Sequence, residues 1–278
     1  MKKDNKLARV LSADLFETLR SKLVYALLAL SAALGFLIPL MYYGLVLMMK
    51  AFSNVEILAN DPSIAAALSM LDALNAKTVF LAALPVSQGA GVLTAAMIGF
   101  RAVRPFGTGI YRNKVIAGIP RRDVYFSQTL YSFMLSALSM LIYTCTAALA
   151  ARLTFGELGI PAGYFCSILL VSLGVYTFYG CAAVLAAFLT RSVPVTLIVS
   201  ILVPILGEMV ISMISAVLIG APEWLLALLS VLPPFQSALL AAAEPSGWML
   251  AASLISDCVL SAVIVVLGAG RFRRADMR

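Results

Sequence analysis

The chain has 278 residues, 62% hydrophobic and 12% charged, with a mean hydropathy of +1.01 and a formal net charge of +7. Soluble domains carry about 25% charged residues, and several apolar runs here are longer than a soluble core needs, so the composition reads as an integral membrane protein. The chain has no histidine, which excludes histidine-based catalysis and histidine metal ligation, and its positive residues gather beside apolar runs, which argues against nucleic acid as a partner.

Residues 4–20, DNKLARVLSADLFETLR, place Leu7, Val10, Leu11, Leu15 and Leu19 at helical spacing, with Lys6, Arg9, Glu17 and Arg20 mainly elsewhere. This pattern predicts an amphipathic helix at the membrane surface, and residues 1–22 read as a cytoplasmic interfacial segment. Residues 23–278 read as one all-α membrane domain with six transmembrane helices. The first span is expected over 23–49, with Pro39 able to kink it, and it reads as a retained span rather than a cleaved signal peptide. In the connection over 50–77, Asp61-Pro62 opens a helical pattern of Ile64, Leu68, Leu71 and Leu74.

The second span is expected at 78–100 and the third at 126–150, followed by a turn with Gly156 and Gly159. The fourth covers 161–189 with Pro161 in its first turn, and the fifth covers 194–219 after the TRSVP turn. Residues 221–245 hold two short apolar pieces broken by Pro233-Pro234, each too short for a hydrocarbon core of about 30 Å. They read as an extracellular pair of re-entrant or interfacial helices, a hairpin before the last span, 247–269. Tyr42, Tyr43, Tyr143, Trp224 and Trp248 fall near expected span ends, where aromatic rings anchor to the interface. The four cysteines, Cys145, Cys166, Cys181 and Cys258, lie in apolar runs without metal-ligand spacing and read as small buried residues.

Six spans bring both termini to one side. On that side fall 17 of the 20 basic residues, leaving Lys50, Lys77 and Arg152 opposite. By the positive-inside rule, both termini and the segment 101–125 are expected in the cytoplasm.

That segment exceeds what topology requires. Within it FGTGIYRNKVIAG permits a short helix, after Arg104-Pro105 stops the preceding element and before Gly118 ends it. Ile119-Pro120 then breaks the chain, and RRDVYFSQ restarts a helix that becomes the third span. A short helix with mixed apolar and basic faces suits docking on a soluble partner. The motif GxxRNKxIAGxxRxxxYxSQ resembles the cytoplasmic segment between the second and third spans of ABC-2 type permeases, the membrane subunits of ATP-binding cassette exporters. It comprises Gly109, Arg112, Asn113, Lys114, Ile116, Ala117, Gly118, Arg121, Tyr125, Ser127 and Gln128; Tyr111 is assigned no individual role.

The resemblance implies a coupling helix resting in a groove of a separate cytoplasmic ATPase. It also implies a second permease copy or a related permease as partner, and a bacterial cytoplasmic membrane as location. This chain lacks the phosphate loop G-x-x-x-x-G-K-[ST], so it is not expected to hydrolyse ATP or bind a cofactor itself. By the same resemblance, ATP and Mg would sit on the partner.

Two acidic residues fall inside expected spans, Glu208 in VPILGEMVISM and Asp257 in SLISDCVLSA. An ionised Asp at mid-membrane costs about 2.5–3.5 kcal/mol on insertion scales, so each reads either as a pathway or gate residue or as an interhelical hydrogen-bonding group. Pro204, with Pro194 and Gly207, could hinge the fifth span. Gly89, Gly91, Gly174 and Gly180 read as sites of close helix approach. The alternative function is an ion-gradient-driven secondary transporter using Glu208 or Asp257 directly.

Overall fold

A computed structural model describes residues 6–53, 74–84, 90–217, 224, 228–242 and 246–274. Every regular element among them is helical. The expected amino-terminal helix is present as α1, Lys6–Leu19. It is followed by α2, Lys22–Ser53, which holds Pro39 in its interior. Four described helices are long and apolar enough to cross a membrane: α2, the helix Arg121–Phe155, the helix Ala162–Thr190 and the helix Gly247–Arg274. This makes the chain a multi-pass membrane protein.

The expected second span is divided. Helix α3, Ala76–Ala82, is seven residues long and ends at Ala83; helix α4 starts at Ala90 and runs to Gly107. Asn75 and Thr78 form a reciprocal capping box at the start of α3, with Asn75 Oδ1 accepting from the Thr78 amide at 2.9 Å. Val79 and Phe80 are fully buried, and the Phe80 ring stacks on Phe165 at 5.9 Å. Tyr143 donates its hydroxyl to the Ala83 carbonyl, one of the acceptors that a helix end leaves open. Tyr143 is thus an interior residue, not the interfacial anchor its position suggested. Pro105, expected to stop α4, instead lies within its last turn, and the helix continues to Gly107.

Beyond α4 come α5, Ile110–Ile116; α6, Arg121–Phe155; α7, Ala162–Thr190; α8, Val193–Val217; α9, Pro233–Ala242; and α10, Gly247–Arg274. Helix α7 is central and packs against α4, α6, α8, α9 and α10, while α2 lies along α6. The apolar interior of the bundle also holds small polar residues, including Ser132, Ser136, Ser139, Thr144 and Thr196. Its outside is apolar, with Leu37, Met41, Leu45, Phe133, Leu141 and Val266 all exposed. This arrangement suits lipid, where backbone bonds are internal to each helix and close approach comes from small residues.

Gly180 meets that need: a Cβ there would lie 2.5 Å from Ser132 Oγ and 2.7 Å from Ser136 Oγ of α6. Gly174 does the same against the Asp257 side chain of α10. Gly89 and the helix expected after Asp61-Pro62 lie outside the described residues, as do residues 221–223, 225–227 and 243–245 of the expected hairpin. Cys181 is buried, whereas Cys145, Cys166 and Cys258 face outward, on the apolar exterior.

Candidate functional site: the basic bend

The bend between α4 and α6 is built by local chemistry. Gly109 opens it at φ +71°, a left-handed conformation that glycine adopts without the penalty of a side chain. Helix α5 occupies one and a half to two turns and closes with a Schellman motif. The Gly118 amide donates to the Val115 carbonyl at 3.0 Å and the Ile119 amide to the Lys114 carbonyl at 3.1 Å, with Gly118 at φ +83°. Pro120 caps α6, and Asp123 stands in its first turn, where negative charge complements the helix dipole.

The inner face of α5 is anchored to the bundle. Tyr111 is buried to 1% exposure and donates its hydroxyl to the Ala102 carbonyl of α4 at 3.0 Å. Its ring lies 4.8 Å from Phe106 and 5.2 Å from Phe188. Phe188, near the end of α7, in turn meets Tyr125 of α6 at 4.9 Å and Phe272 of α10 at 4.7 Å. One aromatic cluster therefore joins the bend to the ends of α4, α6, α7 and α10. Edge-to-face pairs of this kind contribute about 0.5–1.5 kcal/mol each beyond area burial. Burial, and after it the Asp14 carboxylate, push the Tyr111 phenol well above its usual pKa, so the hydroxyl remains a donor.

The second anchor is ionic. Lys114 Nζ donates to Asp14 Oδ1 of α1 at 2.6 Å, and the Ser127 hydroxyl donates to the other carboxylate oxygen, Oδ2. Both ionic side chains are mostly covered, with relative exposures of 20% and 10%. Arg101 reaches Glu17 of α1 at 3.8 Å and lies over the Tyr131 ring at 4.6 Å. Together these contacts hold α1, α5 and α6 around a cavity of about 580 Å³ lined in part by Asp14, Arg20, Arg104 and Lys114.

The outer face of α5 carries Arg112, Asn113 and Ile116, all exposed, with Ile116 at 73%. The residues singled out in sequence thus divide. Gly109 and Gly118 bound the short helix, while Arg112, Asn113 and Ile116 face outward. Lys114 turns inward to Asp14, Arg121 is half-buried at the start of α6, and Tyr125 is buried in the aromatic cluster.

Asp257, Pro204 and Glu208 lie away from this bend. Asp257 of α10 is buried and accepts a hydrogen bond from Gln236 Nε2 of α9 at 3.0 Å, which joins two helices. Pro204 is buried within α8. Glu208 belongs to the same helix, but its side chain lies outside the described residues.

Sequence reasoning missed Asp14 and Tyr111. Asp14 had one available signal: standing seven residues after Leu7, four after Val10 and three after Leu11, it falls on the apolar stripe of α1. Tyr111 is the aromatic on the short helix, five residues after Phe106. No protein-family model matches the chain, and no curated protein matches it in sequence.

Proposed function

We propose that this chain is the membrane-spanning permease subunit of an ATP-driven exporter of the ABC-2 type, and that α5 is the helix through which a separate cytoplasmic ATPase acts on it. The observation that carries this reading is the two-faced α5. Its outer face offers Arg112, Asn113 and Ile116, while its inner face is fixed by Tyr111 and Lys114. A helix that is exposed on one side and rigidly tied to four helix ends on the other can pass a push to the whole bundle. In this reading the chain has six spans, with α3 and α4 together serving the second crossing and α8 the fifth. Both termini are cytoplasmic, and the segment before α10 forms an extracellular hairpin. A second permease copy or a related permease completes the pathway.

Purification in mild detergent tests the proposal. A companion ATPase should copurify with the wild-type chain and be lost from Ile116→Asp and Arg112→Glu variants that retain the wild-type melting profile. Substrate flux without any nucleotide-hydrolysing companion would overturn it.

A second reading is supported by Asp257, whose Oδ2 is buried without a hydrogen-bond partner among the described residues. A carboxylate so placed could carry a proton or cation in a gradient-driven transporter. Transport by the lone chain that is abolished in Asp257→Asn would favour that alternative.

A further inference from the structure

The cavity beside the bend has a polarity gradient. Its volume of about 580 Å³ falls within the roughly 300–1,000 Å³ of small-ligand sites. Its lining includes a charged set, Arg20, Arg104, Lys114 and Asp14, and an apolar set, Val24, Leu27, Met97 and Leu135, which helix register separates. Three helices repeat the same order. At 1.5 Å per residue, Leu27 lies about 8 Å into α2 from its first residue, which Ser21 precedes, Leu135 about 10 Å further into α6 than Gln128, and Met97 about 10 Å back along α4 from Arg104. The charged end coincides with the junction of α1 and α2, where an amphipathic helix meets a membrane-crossing one.

Two of the cations are engaged inside the protein: Lys114 by Asp14, and Arg101 by Glu17 and the Tyr131 ring. Arg20 and Arg104 are exposed and meet no carboxylate among the described residues; Arg20 lies over the Phe16 ring at 4.3 Å. Guanidinium groups match phosphate oxygens in geometry and charge. A free anion would leave the apolar end unused, and a neutral amphiphile would leave both arginines unused.

We propose that this cavity binds an anionic phospholipid, with its phosphate between Arg20 and Arg104 and the first methylenes of its acyl chains against Leu27 and Met97. The lipid braces α1 against the bend, next to the Lys114–Asp14 contact. The inference rests on the chain being a membrane protein and not on the exporter reading, because binding requires neither an ATPase nor transport.

The test uses the full chain in maltoside micelles, titrated separately with dioctanoyl phosphatidylglycerol, dioctanoyl phosphatidylcholine and inorganic phosphate, with heat of binding and melting temperature as readouts. Phosphatidylglycerol should bind saturably and raise the melting temperature, with the other two weaker by about tenfold or more. The pair R20Q/R104Q should lose about tenfold in affinity for phosphatidylglycerol, whereas R271Q/R273Q, which removes the same charge from α10, should not. M97W, which fills the apolar end without changing charge, should also weaken binding. Equal affinity for phosphatidylcholine, equal affinity for phosphate alone, equal losses in the two arginine pairs, or unchanged binding in both R20Q/R104Q and M97W would each overturn the proposal.

Discussion

Lys114 and Asp14 stand 100 positions apart in sequence and 2.6 Å apart in space. Because both are mostly covered, removing one partner leaves the other poorly hydrated. Exposed pairs contribute about 0–1 kcal/mol, and breaking a fully buried pair costs about 3–5 kcal/mol, so Asp14→Asn and Lys114→Met should each cost about 2 kcal/mol. The double variant should cost less than the sum, as measured by denaturation in detergent across the full cycle. Tyr111 gives a pH-dependent prediction. Its folded pKa lies above the unfolded value near 10, so its contribution is fully present below that pH and is lost as the pH rises above it. Above pH 10 the wild type should lose stability relative to Tyr111→Phe by up to about 1.4 kcal/mol per pH unit, while at pH 7 the variant should be about 1 kcal/mol weaker for the lost hydrogen bond. Parallel pH–stability curves for the two proteins would sink this account. Neither residue could be assigned from sequence alone. Helical spacing shows that Asp14 occurs on an amphipathic stretch, but not which distant cation it meets.

At the scale of elements, α5 was legible because its punctuation is local: Gly109 before it, and Gly118 with Ile119-Pro120 after it. The cap at Gly118 requires a left-handed backbone, which costs a residue with a Cβ about 1–2 kcal/mol. Gly118→Ala should therefore loosen α5 by about that amount, read as faster amide exchange over residues 110–117 with the rest of the bundle unchanged. The second span was legible only in part, because its division into two helices was not expected. Residues 78–100 stay apolar across the end of α3 at Ala83, and hydropathy does not distinguish a short helix packed inside a bundle from part of a crossing. What identifies α3 as an interior element is its burial and the Tyr143 bond to Ala83, both tertiary facts. Pro105 misled in the opposite direction. Proline interrupts one intrahelical bond, but a helix within a turn of its end loses little by tolerating it, and α4 reaches Gly107.

Across the whole molecule, exposed apolar residues surround an interior in which alanine, serine, threonine and tyrosine pack among valine, leucine and phenylalanine, a distribution that suits surroundings as apolar as leucine. Charge then sets the expected orientation. The aromatic cluster gathers Phe106, Tyr111, Tyr125, Phe188 and Phe272 at one end of the bundle, and Arg104, Arg112, Arg122, Arg191 and Arg271 lie close to them in sequence. Lys77 lies over the Tyr164 ring near the start of α7, the end opposite Phe188, and Arg152 stands in the last turn of α6, the end opposite Tyr125. Positive residues resist translocation, so the end that carries the bend should stay on the side of synthesis. Replacing the four native cysteines and introducing single cysteines at Arg112, Arg191, Lys77 or Glu157 makes this measurable with a membrane-impermeant maleimide on intact cells. Cysteines at 77 and 157 should react at once, and those at 112 and 191 only after permeabilisation. The reverse pattern would put α5 on the outer surface, out of reach of any cytoplasmic motor, and would remove the exporter reading while leaving the helix packing untouched.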